Sequence, residues 1–351
     1  MFACPCRHFI RLFYKKAKYS IIAFYLYTSF EKYLQQLIKK LSAMKRKLSL
    51  LFLLLCSAIY MQAQQVTLTT EQIKALTPEW QGERFPDGRP KVSDALLERL
   101  KNVALEEAWG ILRNKGYQNQ FEGEWMILNP DSVMTGRAVT AQYMPLRPDI
   151  DKLIREKGKA EGRIGNTNSW PIDVLKNGDI YVADSYGKII DGTLIGDNLG
   201  NSIYAHSKRG VIFYGSVRDI EGLAEIKGFN AWMKGYDPSY IQQMMLTGIN
   251  VPIRIGRATV LPGDVVLAKK GGIVFIPAQE VEQLVINAEF IKLRDEFGHQ
   301  RLREGKYTPG QIDAQWTEEV KKDFLKWIDE NPSKVPMTKE ELDKFLKDRT
   351  W

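Results

Sequence analysis

Between residues 179 and 219 the chain sets two short apolar runs on either side of a stretch of helical length. Ile180-Tyr-Val-Ala183 and Val211-Ile-Phe-Tyr214 are mostly β-branched or aromatic. That order predicts a strand, helix, strand unit. Gly196-Asp-Asn-Leu-Gly200 puts small and polar residues where the helix should begin, and Gly215-Ser-Val217 carries the second strand into Arg218-Asp219. Upstream, Val92 to Leu112 has apolar residues at helical spacing with Ser93 or Asp94 as cap. This predicts one helix packed on a sheet, with Trp109, Ile111 and Leu112 in the core. Strands are expected at Trp125 to Leu128 and Gly136 to Tyr143, and a polar surface loop from Gly158 to Ser169. A hairpin pair, Ile253 to Leu261 and Val265 to Ile276, closes the β layer, and Pro277 starts a helix over Ala278 to Phe290. The remaining residues, 291–351, read as a charged helical extension. Thr308-Pro309 is a helix start in it, and Thr338-x-x-Glu341 a capping box.

The amino terminus changes how composition is read. Met44 to Ala63 has a basic head, an apolar run of about a dozen residues and small residues near its end, the plan of a secretory signal. Cleavage after Ala63 leaves Gln64 as the new terminus and an exported, periplasmic or secreted chain. Cys56 lacks the small preceding residue of a lipoprotein box. Residues 1–43, basic and aromatic, are expected to be an upstream leader from a mis-assigned start. The full chain of 351 residues has formal charge +8. Residues 1–63 carry 11 Lys and Arg against the single acid Glu31, so removing them leaves 39 basic and 41 acidic residues, net about −2. Basicity therefore gives no support for nucleic-acid binding. All three cysteines, Cys4, Cys6 and Cys56, leave with the signal, and with them any disulfide or thiolate chemistry. Residues 64–91, rich in Thr, Pro and Gly, are expected to form an exposed amino-terminal arm, and 92–290 the main domain.

The chemistry-bearing residues sit at the ends of the predicted strands. Gly196 to Leu199 open a helix, where unpaired N–H groups and the macrodipole favour an anion such as a carboxylate or phosphate. Arg218-Asp219 stands at the carboxyl end of a strand, where α/β sheets place ligands. An Arg-Asp pair alone is an ordinary surface ion pair; its place after a glycine-rich turn is what singles it out. Asp184 and Asp191 flank the turn that precedes Gly196, and one of them is a candidate to orient Arg218. His206 and His299 are the only histidines after residue 63, too few for a histidine zinc site. His206 is expected to be a surface residue, and Lys269-Lys270 a solvated turn. No GxGxxG, Walker or Gly-x-Ser-x-Gly sequence occurs.

The pattern Gly196-Asp-x-Leu199 together with Asp197-x20-Arg218-Asp219 resembles the RraA-like family, which includes 4-hydroxy-4-methyl-2-oxoglutarate aldolases and regulators of ribonuclease activity A. Val260-Leu-Pro-Gly-Asp-Val-Val-Leu-Ala268 and Gly272-Ile-Val-Phe-Ile-Pro277 are similar to its closing hairpin, and Gly136-Arg-Ala-Val-Thr140 to its opening strand. The resemblance covers roughly Val92 to Ala288. It implies an α/β fold, a three-layer β/β/α swivelling-type domain, here with a helical carboxyl-terminal extension, assembled as a homotrimer or hexamer with sites near subunit boundaries. It also implies a metal-dependent carbon–carbon lyase, aldolase or decarboxylase, acting on a 2-oxo acid through an enolate. The family's roles fall on Asp197 (proton transfer), Arg218 (enolate oxygen) and Asp219 (Mg2+ or Mn2+), with Gly196, Asp197, Asn198, Leu199 and Arg218 binding substrate. The residue types agree. With no Schiff-base lysine indicated, an enolate needs electrostatic stabilisation, and magnesium needs only one or two protein carboxylates. One departure stands out: Lys269-Lys270 occupy the hairpin where many members carry acids. It favours an alternative, a non-catalytic binding or regulatory protein on the same fold. No adenosylmethionine-binding glycine loop supports a methyltransferase.

Overall fold

A computed structural model describes residues 66–348 and a few helical positions between 37 and 47. Most of the expected leader and most of the expected signal segment lie outside the described residues. Met1–Gln64 and Gln65–Trp351 are separate units, and the fold below is that of the second.

Helices α1 (Thr70–Leu76), α2 (Asp94–Leu100) and α3 (Leu105–Asn114) lead into strands β1 (Phe121–Glu122), β2 (Met126–Ile127) and β3 (Met134–Pro145). Helix α4 (Pro148–Ala160) precedes the central run β4 (Asp179–Asp184), α5 (Asp197–Ser207), β5 (Val211–Val217), α6 (Ile220–Glu225) and β6 (Ala231–Tyr236). Then come β7 (Met244–Ile249), β8 (Ile253–Ile255), β9 (Ala258–Val260), β10 (Val265–Lys269) and β11 (Gly272–Ile276). Helices α7 (Val281–Arg303), α8 (Pro309–Asp313), α9 (Glu318–Glu330) and α10 (Lys339–Asp348) follow.

Nine strands form one mixed sheet in the order β1-β11-β10-β3-β4-β5-β6-β2, with β7 also paired to β3; β8 and β9 form a separate ribbon. The centre, β3 to β6, is parallel, with Arg137 opposite Asp179, Tyr181 opposite Val211 and Val211 opposite Ala231. Alternation of side chains divides each strand between two cores. Tyr181 and Ala183 of β4, with Val211 and Phe213 of β5, face a cluster shared with α4, α5 and α6. Ile180, Val182 and Ile212 face the other way, onto the β8–β9 ribbon and Val266, Ala268, Ile273 and Phe275 of the β10–β11 hairpin. A strand buried on both faces must be apolar throughout, which explains the unbroken runs. The outer face of the hairpin is covered in turn by α2, α3 and the first half of α7. The β/β/α arrangement therefore carries a further helical layer outside its second β layer.

Three expectations are corrected. The helix over Val92 to Leu112 is two helices, broken at 101–104, where Val103 turns inward and Glu107 caps the N–H of Ala104 at 3.0 Å. The break resets the helical phase: Ala108 and Leu112 are buried, while Trp109 is 37% exposed under the Arg113 guanidinium. The 64–91 arm does not stand free of the domain, because from Val66 onward it packs on its own chain. Val66 and Ile73 are buried, Thr67 bridges to Ile249, and the fully buried Arg89 pairs with the equally buried Asp179 at 2.9 Å. Phe85 lies against the guanidiniums of both Arg89 and Arg137. Finally, the helix expected to end at Phe290 runs to Arg303. A second apolar stripe, Phe290, Leu293 and Phe297, collects Trp316, Phe324 and Trp327 into a small aromatic core. Among the described residues no helix is long and apolar enough to cross a membrane.

Candidate active site at the ends of two parallel strands

β4 and β5 run side by side, Ala183 opposite Phe213, and end at the same edge of the sheet. The chain does not enter α5 directly. Residues 185–196 fold back along β5, so that the Leu194 N–H donates to Ser216 O and the Arg218 N–H to Ile195 O, both at 3.0 Å. This lays Gly196 against Arg218 and Asp219. A Cβ at Gly196 would sit 2.1 Å from Asp219 Oδ2 and 3.0 Å from Arg218 Nε. The Gly196 backbone is extended (φ −118°, ψ −165°), which any residue adopts, so glycine is required here for space. Gly222 stands in the same relation to the other acid: its Cβ would lie 2.8 Å from Asp197 Cβ and 3.1 Å from Oδ2. The structure thus brings Asp197, Arg218 and Asp219 together around two glycines.

Asp219 is left-handed (φ 55°, ψ 46°) and precedes α6 as its cap, yet its side chain makes no capping hydrogen bond. Aspartate tolerates that backbone better than most residues, and ordinarily spends its carboxylate on the helix when it caps one. Here the carboxylate turns to Arg218, Nε to Oδ2 being 3.4 Å, with the side chains 42% and 43% exposed. Asp197 is the first residue of α5, and its Oδ1 accepts from the Asn198 N–H at 2.8 Å. One donor of the expected carboxylate cradle is therefore already engaged. Leu199 packs against the core, and Asn198 is exposed.

The loop carrying Gly196 is held by residues that the sequence pattern does not single out. Asn168, buried in what was expected to be a surface loop, donates to Leu194 O at 2.6 Å. Ser216 Oγ donates to Ile189 O at 2.7 Å, and the Thr193 hydroxyl to Ser239 O. Ser239 also holds Asp237, whose carboxyl lies below its ordinary range through hydrogen bonds from the Ser239 hydroxyl and N–H. Neither acid proposed to orient Arg218 pairs with it. Asp184 accepts from Gln142 at 3.1 Å and from the Tyr186 N–H at 2.9 Å, while the Asp191 N–H donates to Ser239 Oγ at 2.7 Å. His206 is exposed, its Nδ1 2.8 Å from Ser202 O. Lys269 and Lys270 are far from this edge within the chain. Ala268 pairs with Met134, the first residue of β3, whereas the site follows the last residues of β4 and β5. Lys269 lies in the field of Glu106 and Glu107, its ammonium lowered chiefly by burial.

Sequence and fold together define one family. The model of the RraA-like family, described as Aldolase/RraA, matches residues 89–275, and the chain belongs to that family. Among curated relatives, protein DlpA of Legionella pneumophila is 27% identical over 205 residues, 57% of this chain and 30% of that protein. A protein of Stutzerimonas stutzeri provisionally named 4-hydroxy-4-methyl-2-oxoglutarate aldolase is 31% identical over 107 residues, 30% of this chain and 64% of that protein. The chain thus spans less than two thirds of the length of either relative. Among solved structures, Streptomyces coelicolor RraAS2, described as an unusual member of the RNase ES inhibitor RraA family, superposes with TM-score 0.51 at 24% identity. The match covers 60% of this chain and all of that one. An uncharacterized protein from Pseudomonas syringae gives 0.52 at 19%, covering 66% and 98%. At such identities these structures show the fold alone.

Proposed function

We propose that the protein is a divalent-metal-dependent carbon–carbon lyase, an aldolase or decarboxylase of a 2-oxo acid. The supporting observation is the Gly196 cradle: a backbone without a side chain, faced at close range by Arg218 and by an Asp219 carboxylate not used for capping. That cradle fits a hard cation on Asp219. Among the described residues no three His, Cys, Asp or Glu side chains cluster to hold a metal. One carboxylate suits Mg2+ or Mn2+, which keep most of their waters. Bound there, the ion supplies Lewis-acid stabilisation of charge on a 2-oxo acid. The chain's own residues do the rest. Arg218 donates to the keto oxygen as negative charge builds on it. The N–H groups at the start of α5 hold the substrate carboxylate, and Asp197 moves a proton through a water.

The proposal includes assembly as a homotrimer or hexamer, with the half-exposed Arg218 and Asp219 near a subunit boundary. Export is part of the same reading: the compact unit Gln65–Trp351 begins one residue after the terminus that cleavage at Ala63 would leave. The competing reading, a binding protein that kept the fold without catalysis, is favoured by the absence, among the described residues, of any cluster of three His, Cys, Asp or Glu side chains that could hold a metal firmly.

The deciding assay is oxaloacetate decarboxylation and pyruvate release from 4-hydroxy-4-methyl-2-oxoglutarate, with Mg2+ and with chelator. The lyase reading expects metal-dependent turnover, abolished in Asp219→Ala and lowered about 100- to 1,000-fold in Arg218→Ala. Absence of turnover on both substrates together with absence of Mg2+ binding would leave the binding protein.

A further inference from the structure

A second concave site lies at the other end of α5. Its cleft, about 470 Å3, opens between the end of α2, residues 129–135, the turn after α5 and the segment joining α6 to β6. Four cations line it: Lys101, Lys208, Arg209 and Lys227. With eleven residues at about 1.5 Å rise each, α5 separates this cleft from Asp197 by roughly 16 Å. Nothing in the lyase reading uses it.

The charge here is only partly neutralised. Glu98 pairs with Lys101 at 2.6 Å and reaches Arg209 at 3.5 Å. Among the described residues no carboxylate lies within ion-pair distance of Lys208 or Lys227. The walls are also fixed in advance. Arg209 Nε donates to Thr135 O at 2.8 Å and NH1 to Lys208 O at 3.0 Å, so the guanidinium is anchored rather than free in solvent. Asn230, 3% exposed, donates to Asn129 O at 2.9 Å and Ser132 Oγ at 2.6 Å and accepts from the Asn129 N–H, tying two walls together. Lys208 takes the left-handed conformation at the end of α5, with its ammonium 5.3 Å from the Tyr204 ring. A rigid polar floor under cations in excess is the arrangement that holds a compact anion, because little conformational freedom is lost when it binds.

We propose that this cleft is an anion-binding site for a small phosphorylated molecule carrying two or more negative charges, separate from the Arg218 site. Its volume is within the range of small-ligand pockets. A nucleic acid fits less well, since the chain after residue 63 is close to neutral and offers no long-range attraction to a polyanion.

The test is calorimetric titration of the full chain with inorganic pyrophosphate at low salt. A 1:1 site that depends on Lys208 and Lys227 is expected, weakening as salt is raised. Lys208→Ala and Lys227→Ala should each weaken binding about tenfold, and the pair more, while Arg218→Ala leaves it unchanged. Three results would overturn the proposal: no binding, binding that survives the double lysine variant, or binding lost in Arg218→Ala. None of the three depends on whether the lyase assay succeeds.

Discussion

Two residues show how position sets chemistry. Asp264 closes the turn before β10, its Oδ2 accepting from the Leu261 N–H at 2.8 Å, and it lines a 340 Å3 cavity beside Gln120 and Thr259. Burial pushes its carboxyl up to about 7, against the Leu261 hydrogen bond that lowers it. An unfolded aspartate titrates near ~3.9, so between about pH 4 and 7 the folded chain holds the extra proton. Its contribution to stability is then fully present below about pH 4 and is lost as pH rises through 7. Chemical denaturation of wild type and Asp264→Asn should show their difference shrinking by up to about 4 kcal/mol across that window; a flat difference would contradict the assignment. Gly196 makes the second case. Alanine there must displace Asp219 or Arg218, and misplacement of that order costs about 100-fold in turnover while an extended backbone leaves folding intact. Activity assays with parallel thermal melts separate the two effects. That Asp197, Arg218 and Asp219 come together was legible because Asp197 to Arg218 spans helix α5 and strand β5, a spacing the fold enforces. The supports were not: Asn168 and Ser239 reach the loop through tertiary contacts that no local pattern encodes.

Among the elements, the surprise is the segment before α2. Its threonines, prolines and glycines read as an arm, yet it delivers Arg89 into the base of β3 and β4, where Asp179 meets both Arg89 and, at 3.6 Å, Arg137. A buried pair of this kind is weak evidence for net stability, but removing one partner strands the other charge. Arg89→Met should lower the unfolding free energy by about 3–5 kcal/mol in urea titrations, and a loss under 1 kcal/mol would mean the segment docks by its apolar contacts alone. Helix α4 and strand β7 went unread for related reasons. α4 is charged on most positions and buries only Ile154 and Gly158, leaving little periodicity to detect. β7 gains its place by pairing with the far end of β3, across a register shift at Gln142/Tyr143. Strands β4 and β5, buried on both faces, announced themselves by composition.

For the molecule as a whole, the order of strands carries what the sequence withholds. The hairpin lysines look like a departure in the active site when the chain is read linearly. The sheet order moves them to the opposite edge, beside Glu106 and Glu107, so their effect on the site within one chain is small. The helical extension belongs to the same outer side. Arg99 of α2 ties Glu289 at 2.7 Å and Glu341 at 3.0 Å, drawing α7 and α10 onto the layer that covers the hairpin and away from the edge that bears Arg218.

The two facing glycines have a consequence for descent with modification. Each is occupied, in effect, by an acid from the opposite helix start, so a side chain gained at position 196 or 222 collides with Asp219 or Asp197 rather than reaching a new ligand. A change in what this site accepts therefore has little room at its floor, and the rim, in the loop around Ser239, is left as the place to make one.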